Sequence, residues 1–215
     1  MQLNVGMNQF DTARIFCIGR NYAEHAQEMD APKPAEPVVF MKPATSLVAE
    51  GQPLVLPKGQ GSVHHEMELV VAIGKRGADI PLQAALEYVA GVTLGIDLTL
   101  RDVQSRLKQS GQPWELSKSF DGSAAIGKFI AWSAQSDIQN IDMFCSVNGT
   151  LRQQGNTRDM LFPVAKIIAF LSRHWRLLPG DLIYTGTPAG VGPLLAGDRI
   201  EIESPQIGRF CWDVA

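Results

Sequence analysis

The sequence predicts an α+β fold, strand-rich, with three or four short helices. Two observations point there. Short apolar runs bounded by glycine or proline follow one another more often than they alternate with helical patterns, which favours α+β over a doubly wound parallel sheet. Asn148-Gly149 between two such runs marks a tight hairpin of the kind antiparallel sheets use. A third observation sets the domain count. No repeat, low-complexity tract or linker divides the 215 residues, so one domain is expected over residues 1–215.

Taken in order, residues 14–19 form an apolar run ending in glycine and read as a buried strand. Tyr22, His25, Ala26 and Met29 then recur at helical spacing over residues 21–29. Pro32, Pro34 and Pro37 break that helix and impose an extended connector. At about a dozen residues such a loop is uncommon without a function. Residues 38–42 resume as a strand that stops at Pro43, and residues 53–63 are turn-rich. Residues 66–73 make a strand closed by Gly74. Pro81 opens a helix through Tyr88 with Gly91 just past its end, and residues 92–97 return as a strand.

Thr99 and Asp102 stand in the capping-box relation before a helix running to about Gln109. Residues 144–147 and 150–153 flank the type I′ turn. Pro163 begins a helix with Val164, Ile167, Ile168 and Leu171 on one face. Strands over residues 182–184, 199–203 and 208–214 complete the chain.

Composition excludes several classes of function. Hydrophobic residues make up 45% and charged residues 19%, an ordinary globular balance. A net charge of −3 gives no basic footprint for nucleic acid and no polybasic membrane patch. Residues 1–10 carry neither the positive start nor the apolar run of a secretory signal. No segment has the length to span a bilayer as an apolar helix. Three cysteines, Cys17, Cys145 and Cys211, lie far apart and read as reduced thiols of a cytoplasmic protein.

Common templates fail. The nucleophile elbow is missing, His65-Glu66 lacks the second histidine of a zincin motif, and residues 186–192 lack both phosphate-loop spacings. Acids in apolar company remain. Glu66 and Glu68 are two apart, so on a strand they share a face, and residues 69–73 after them are wholly apolar. Asp97 ends another buried run. Buried carboxylates need a cation, and a three-carboxylate set suits Mg²⁺ or Mn²⁺. The alternative is an edge strand with both glutamates in solvent and Asp97 capping the next helix.

His25 and Glu28 are i and i+3, where a carboxylate raises an imidazole's basicity and fixes its tautomer; an idle surface pair is the alternative. Lys118, flanked by Trp114 and Phe120, either stabilises developing negative charge or snorkels. Arg101 and Gln104 share a helical face, and residues 185–192 either cradle a carboxylate or form a tight loop. His64, His65 and His174 receive no direct role.

These pieces, in this order, resemble the fumarylacetoacetate hydrolase family, particularly its short single-domain members. The resemblance is carried by Gly19-Arg20-Asn21-Tyr22 with His25 and Glu28, Phe40-Met41-Lys42-Pro43, and His64-His65-Glu66-Met67-Glu68. Asp97-Leu98-Thr99 through Gln104, Trp114 through Asp121, Val147-Asn148-Gly149 and residues 185–192 complete it, over about residues 14–208.

The resemblance implies a mixed β-roll, a homodimer, and Mg²⁺ or Mn²⁺ held by Glu66, Glu68 and Asp97. It implies a water-activating His25–Glu28 dyad on a lid over about residues 19–37, with Lys118 polarising substrate. Arg20, Arg101, Gln104 and Thr187 become the expected substrate contacts. Residues 122–128 depart from the proline-bearing segment common in the family, so one pocket wall differs.

The implied reaction is hydrolytic C–C cleavage of an acylpyruvate, a 2,4-dioxo acid, through an enolate stabilised by the metal and Lys118. Oxaloacetate decarboxylation and keto–enol tautomerisation share that enolate and are the alternatives. A non-catalytic metal-binding module is the alternative of a different class.

Overall fold

The computed structural model describes residues 2–29, 32–133 and 136–215. Its centre is an eight-stranded mixed sheet. The strands run in the order Val38–Pro43, Arg14–Gly19, Leu182–Tyr184, Met67–Ile73, Val89–Asp97, Ala124–Ile126 and Leu47–Ala49, with Ile130–Ala131 also pairing Val89–Asp97. Leu182–Tyr184 is parallel to Arg14–Gly19 and antiparallel to Met67–Ile73, which makes the sheet mixed.

Every residue of Met67–Ile73 is buried, the pattern of a strand covered on both faces. Leu69, Val71 and Ile73 enter one apolar cluster, while Val70 and Ala72 enter another on the opposite side. Such side chains each contribute about 1.5–3 kcal/mol when fully buried.

The larger cluster is closed by a four-stranded antiparallel sheet, Thr150–Asn156, Asp142–Val147, Arg199–Ser204 and Gly208–Asp213, through Met143, Ile200, Ile202 and Trp212. Its hairpin turns at Asn148 and Gly149 with φ of 50° and 74°, as a type I′ turn requires. The helix Val164–His174 buries Val164, Ile167, Ile168 and Leu171 into the same cluster. Four α-helices lie among the described residues: α1 (Ala23–Glu28), α2 (Arg101–Gln109), α3 (Glu115–Lys118) and α4 (Val164–His174). None is long and apolar enough to cross a membrane.

Several expectations are corrected. The helix after Pro81 is a 3₁₀ segment, Leu82–Tyr88, and Gly91 lies inside the strand Val89–Asp97 rather than past a helix end. A side chain at Gly91 would collide with Val5 and the Ile130 carbonyl, so close packing, not capping, explains that glycine. The Thr99–Asp102 capping box does not form. Leu100 is the cap residue, the Thr99 hydroxyl donates to the Asp97 carbonyl, and Asp102 accepts from the Ser62 amide.

A terminal hairpin, Gln2–Val5 with Asn8–Asp11, joins the smaller cluster through Leu3 and Val5. The sequence reading has no strand there. Of the expected lid, Asp30 and Ala31 lie outside the described residues.

Candidate metal centre

Pairing of two central strands brings the acids together. The Asp97 amide donates to the Glu66 carbonyl at 2.8 Å, setting the two residues opposite each other. Glu68 lies two pairs further in, opposite Gly95. Glu66 falls in a break between Val63–His65 and Met67–Ile73 rather than opening a continuous strand. Glu66, Glu68 and Asp97 are all buried, and each offers one oxygen such that the three lie within 4.8 Å of one another. Their side chains are not in solvent, so the edge-strand alternative fails.

Three cations answer them. Lys118 Nζ bridges Glu66 Oε2 at 2.7 Å and Asp97 Oδ2 at 2.6 Å. Arg101 reaches Glu66 Oε1 at 2.6 Å and also donates to Gln104 Oε1 at 2.6 Å. Lys42, with its side chain fully buried, lies 2.7 Å from Asp97 Oδ1. Its protons, however, are directed at the carbonyls of Leu98, Ser123 and Lys118, and Asp97 Oδ1 keeps no hydrogen bond among the described residues. The reading of the sequence gave Lys42 no role. The available signal is that Lys42 and Phe40 are two apart on one strand and both face inward.

Electrostatics separates the acids. Burial raises the Glu66 carboxyl, but Lys118 and Arg101 overcome it and hold the group below the usual carboxylate range. Glu68 goes the other way, raised by burial and then by the charges of Asp97 and Glu66. Among the described residues its hydrogen bond is a single one, from the Gly186 amide at 2.7 Å. Gly186 has φ of 102°, and a Cβ there would fall 2.5 Å from Asn21 Cβ, so only glycine presents this N–H. Lys118 is opposed by burial, yet Asp97 and Glu66 raise it above its ordinary value.

An orphaned Asp97 oxygen, an undercompensated Glu68 and an all-carboxylate donor set fit a hard divalent cation.

His25 Nδ1 lies 3.0 Å from Glu28 Oε2 on α1, so the expected pair exists, and the Gly190 amide donates to Glu28 Oε1 at 3.1 Å. His25, Arg20, Arg101, Gln104, Lys118 and Thr187 line one pocket together with the three acids. Arg101 and Gln104 are engaged by Glu66 and by each other. The Thr187 hydroxyl accepts from Gln153 Nε2 at 2.8 Å. Gln153 Oε1 in turn faces His65 Nδ1 at 3.0 Å and accepts from the Met67 amide at 2.9 Å, tying the hairpin sheet to the site. Nothing local in the sequence marks Gln153.

The sequence profile of the family described as fumarylacetoacetate (FAA) hydrolase C-terminal matches residues 14–215. Oxaloacetate tautomerase FAHD1, mitochondrial, of Mus musculus is 46% identical over 187 residues, 87% of this chain and 85% of that protein. Oxaloacetate decarboxylase, mitochondrial, of Dictyostelium discoideum is 44% identical over 198 residues, 91% of each. Among solved structures, fumarylpyruvate hydrolase from Pseudomonas aeruginosa in complex with Mn²⁺ and pyruvate matches with a TM-score of 0.94 at 39% identity, covering 100% of this chain and 95% of that one. The strand-rich α+β roll expected from the sequence is the architecture these proteins share with this chain.

Proposed function

The chain belongs to the fumarylacetoacetate hydrolase family, and on that premise we propose that it is a divalent-metal-dependent enzyme acting at C3 of a doubly charged 2-oxo acid. Glu66, Glu68 and Asp97 hold the cation, Mg²⁺ or Mn²⁺. The leading reaction is keto–enol tautomerisation of oxaloacetate, with decarboxylation as its close variant, in keeping with the names of the mouse and Dictyostelium relatives.

The observation that carries this proposal is the formal charge of the inner site. Three carboxylates face three buried cations, Lys42, Lys118 and Arg101, and cancel to zero. A divalent ion leaves the site two positive charges, which complements a dianion better than a monoanion.

When bound, the ion supplies Lewis acidity toward the 2-oxo group. The chain's own residues do the rest. Glu28 holds Nδ1 of His25, leaving Nε2 as the basic nitrogen that removes a proton from C3. The C–H electron pair becomes the C2–C3 double bond, the carbonyl π pair moves onto the 2-oxo oxygen, and the proton carried by His25 passes to that oxygen to give the enol. Lys118 places fixed positive charge beside that oxygen as its own charge grows. Thr187, Gln104, Arg101 and Arg20 orient the substrate.

Hydrolysis of an acylpyruvate, placed first by the sequence, is the second reading. The His25–Glu28 dyad favours it, since the same nitrogen can deprotonate a water, as does the name of the Pseudomonas relative. The proposed unit is a homodimer, checked by sedimentation. The deciding experiment is a panel of oxaloacetate and acylpyruvates with added Mg²⁺ or Mn²⁺, scored by loss of enol absorbance and by product identity. Turnover of oxaloacetate between its keto and enol forms is expected; no turnover of any member, with or without metal, overturns the enzyme reading.

A further inference from the structure

The pocket is lined by two cations that no acid engages among the described residues. Arg20 and Lys108 line it beside Trp114, and neither takes part in an ion pair among the described residues. Both are gathered on one aromatic ring. Arg20 Cζ lies 5.5 Å and Lys108 Nζ 5.2 Å from the Trp114 ring, distances at which the ring quadrupole attracts a cation.

The ring is itself fixed. Its centroid is 6.0 Å from that of Phe40, and a Cβ on Gly19 would come 2.9 Å from Trp114 Cζ3, so the indole packs against bare backbone. Arg20 adopts φ of 58°, a left-handed conformation uncommon for a non-glycine residue, and its Nε is buried without a hydrogen-bond partner among the described residues. Strain held at a site wall with an unpaired donor is the mark of a group kept ready for a ligand.

We propose that Arg20 and Lys108, braced on Trp114, form a second anion subsite that binds the distal carboxylate of a dicarboxylic 2-oxo acid. The subsite presupposes the 2-oxo acid site proposed above and deepens it by naming what selects the substrate's far end. The electrostatics of Lys108 agree with that placement. Burial, then the charges of Arg20 and Arg101, hold its ammonium down to about 8, a cost that a bound carboxylate relieves. A neutral tail leaves the two cations facing each other without an anion, so discrimination works by penalty as well as by attraction. Arg20 was expected to touch substrate; Lys108 and Trp114 are new to the site.

The test compares 2-oxoglutarate with 2-oxopentanoate, equal in chain length and differing in the distal carboxylate, by calorimetric binding to the Mg²⁺-loaded 215-residue chain. Wild type is expected to favour the dicarboxylate by on the order of tenfold, the worth of a charge-assisted contact. Lys108→Met erases most of that preference and leaves 2-oxopentanoate unchanged, and Arg20→Asn (which tolerates the left-handed backbone) lowers the preference as well. Lys108→Arg restores it, and Trp114→Leu weakens it while Trp114→Phe largely keeps it. Equal affinity of the two acids for wild type, or equal loss of both in Lys108→Met, overturns the subsite alone. Failure of wild type to bind either acid overturns the 2-oxo acid site, and the subsite with it.

Discussion

Glu66 and Asp97 sit against three buried cations, whereas His25 and Glu28 hold each other and one backbone amide. The inner half of the site is thus a closed ionic lattice at the end of the central strands. The outer half hangs on a six-residue helix and a loop. Ionic lattices in a low-dielectric interior are positioned before any ligand arrives, and breaking one partner strands the others. A pair on a short helix costs little to displace. The contrast separates two kinds of residue: those whose loss damages the fold and the chemistry together, and those whose loss damages chemistry alone.

Substitution of Asp97 by Asn draws the contrast most sharply. It removes a proposed metal ligand and leaves Lys42 and Lys118 buried beside a neutral group. Activity should fall by on the order of 10³-fold or more, and stability by about 3–5 kcal/mol, read by oxaloacetate turnover and chemical denaturation. Preserved stability would show that the lattice is not holding the strands.

At the outer half, His25→Ala should lower proton-transfer or hydrolytic turnover by about 10²–10⁴-fold with less than about 1 kcal/mol lost from folding. Hydrolysis should suffer more than decarboxylation, which needs no attacking water; equal losses would count against the water-activating role. Metal addition probes the inner half without mutation. Mg²⁺ at about 100 times its Kd should raise stability by about 2.7 kcal/mol, an effect that Glu68→Gln reduces and Glu28→Gln leaves intact. The smallest change is Glu28→Gln itself, which keeps a carbonyl for Gly190 and loses the charge beside the imidazole. A roughly tenfold fall in kcat at near-constant KM is expected, and an unchanged kcat would make the pair ornamental.

Legibility followed the range of the interactions. The Asn148-Gly149 hairpin, the α4 face and the Met67–Ile73 strand were readable because turn geometry and periodicity are local. The three acids were readable as a resemblance, and their spacing alone left solvent exposure open. Lys42 was not, because a lysine before a proline reads as a strand end, and only the approach of Leu98, Lys118 and Ser123 from elsewhere in the chain buries it. Gln153 was hidden for the same reason. Leu47–Ala49 and Ala124–Ile126 escaped because strands of three small or apolar residues carry no period to detect. Thr99 and Asp102 matched a cap by spacing, but stronger partners, the Asp97 carbonyl and the Ser62 amide, took their side chains.

Gly186 and Gly190, four positions apart on one loop, donate to Glu68 and to Glu28. A proposed metal ligand and the carboxylate that orients the proposed base are therefore gauged from a common length of backbone. A displacement of that loop would act on both carboxylates at once, through one hydrogen bond each, so their placement is coupled through a single stretch of main chain. Since an error of about 1 Å in a reacting geometry can cost on the order of 10²-fold in rate, a shared datum gives the outer dyad a tolerance that its short helix alone would not provide.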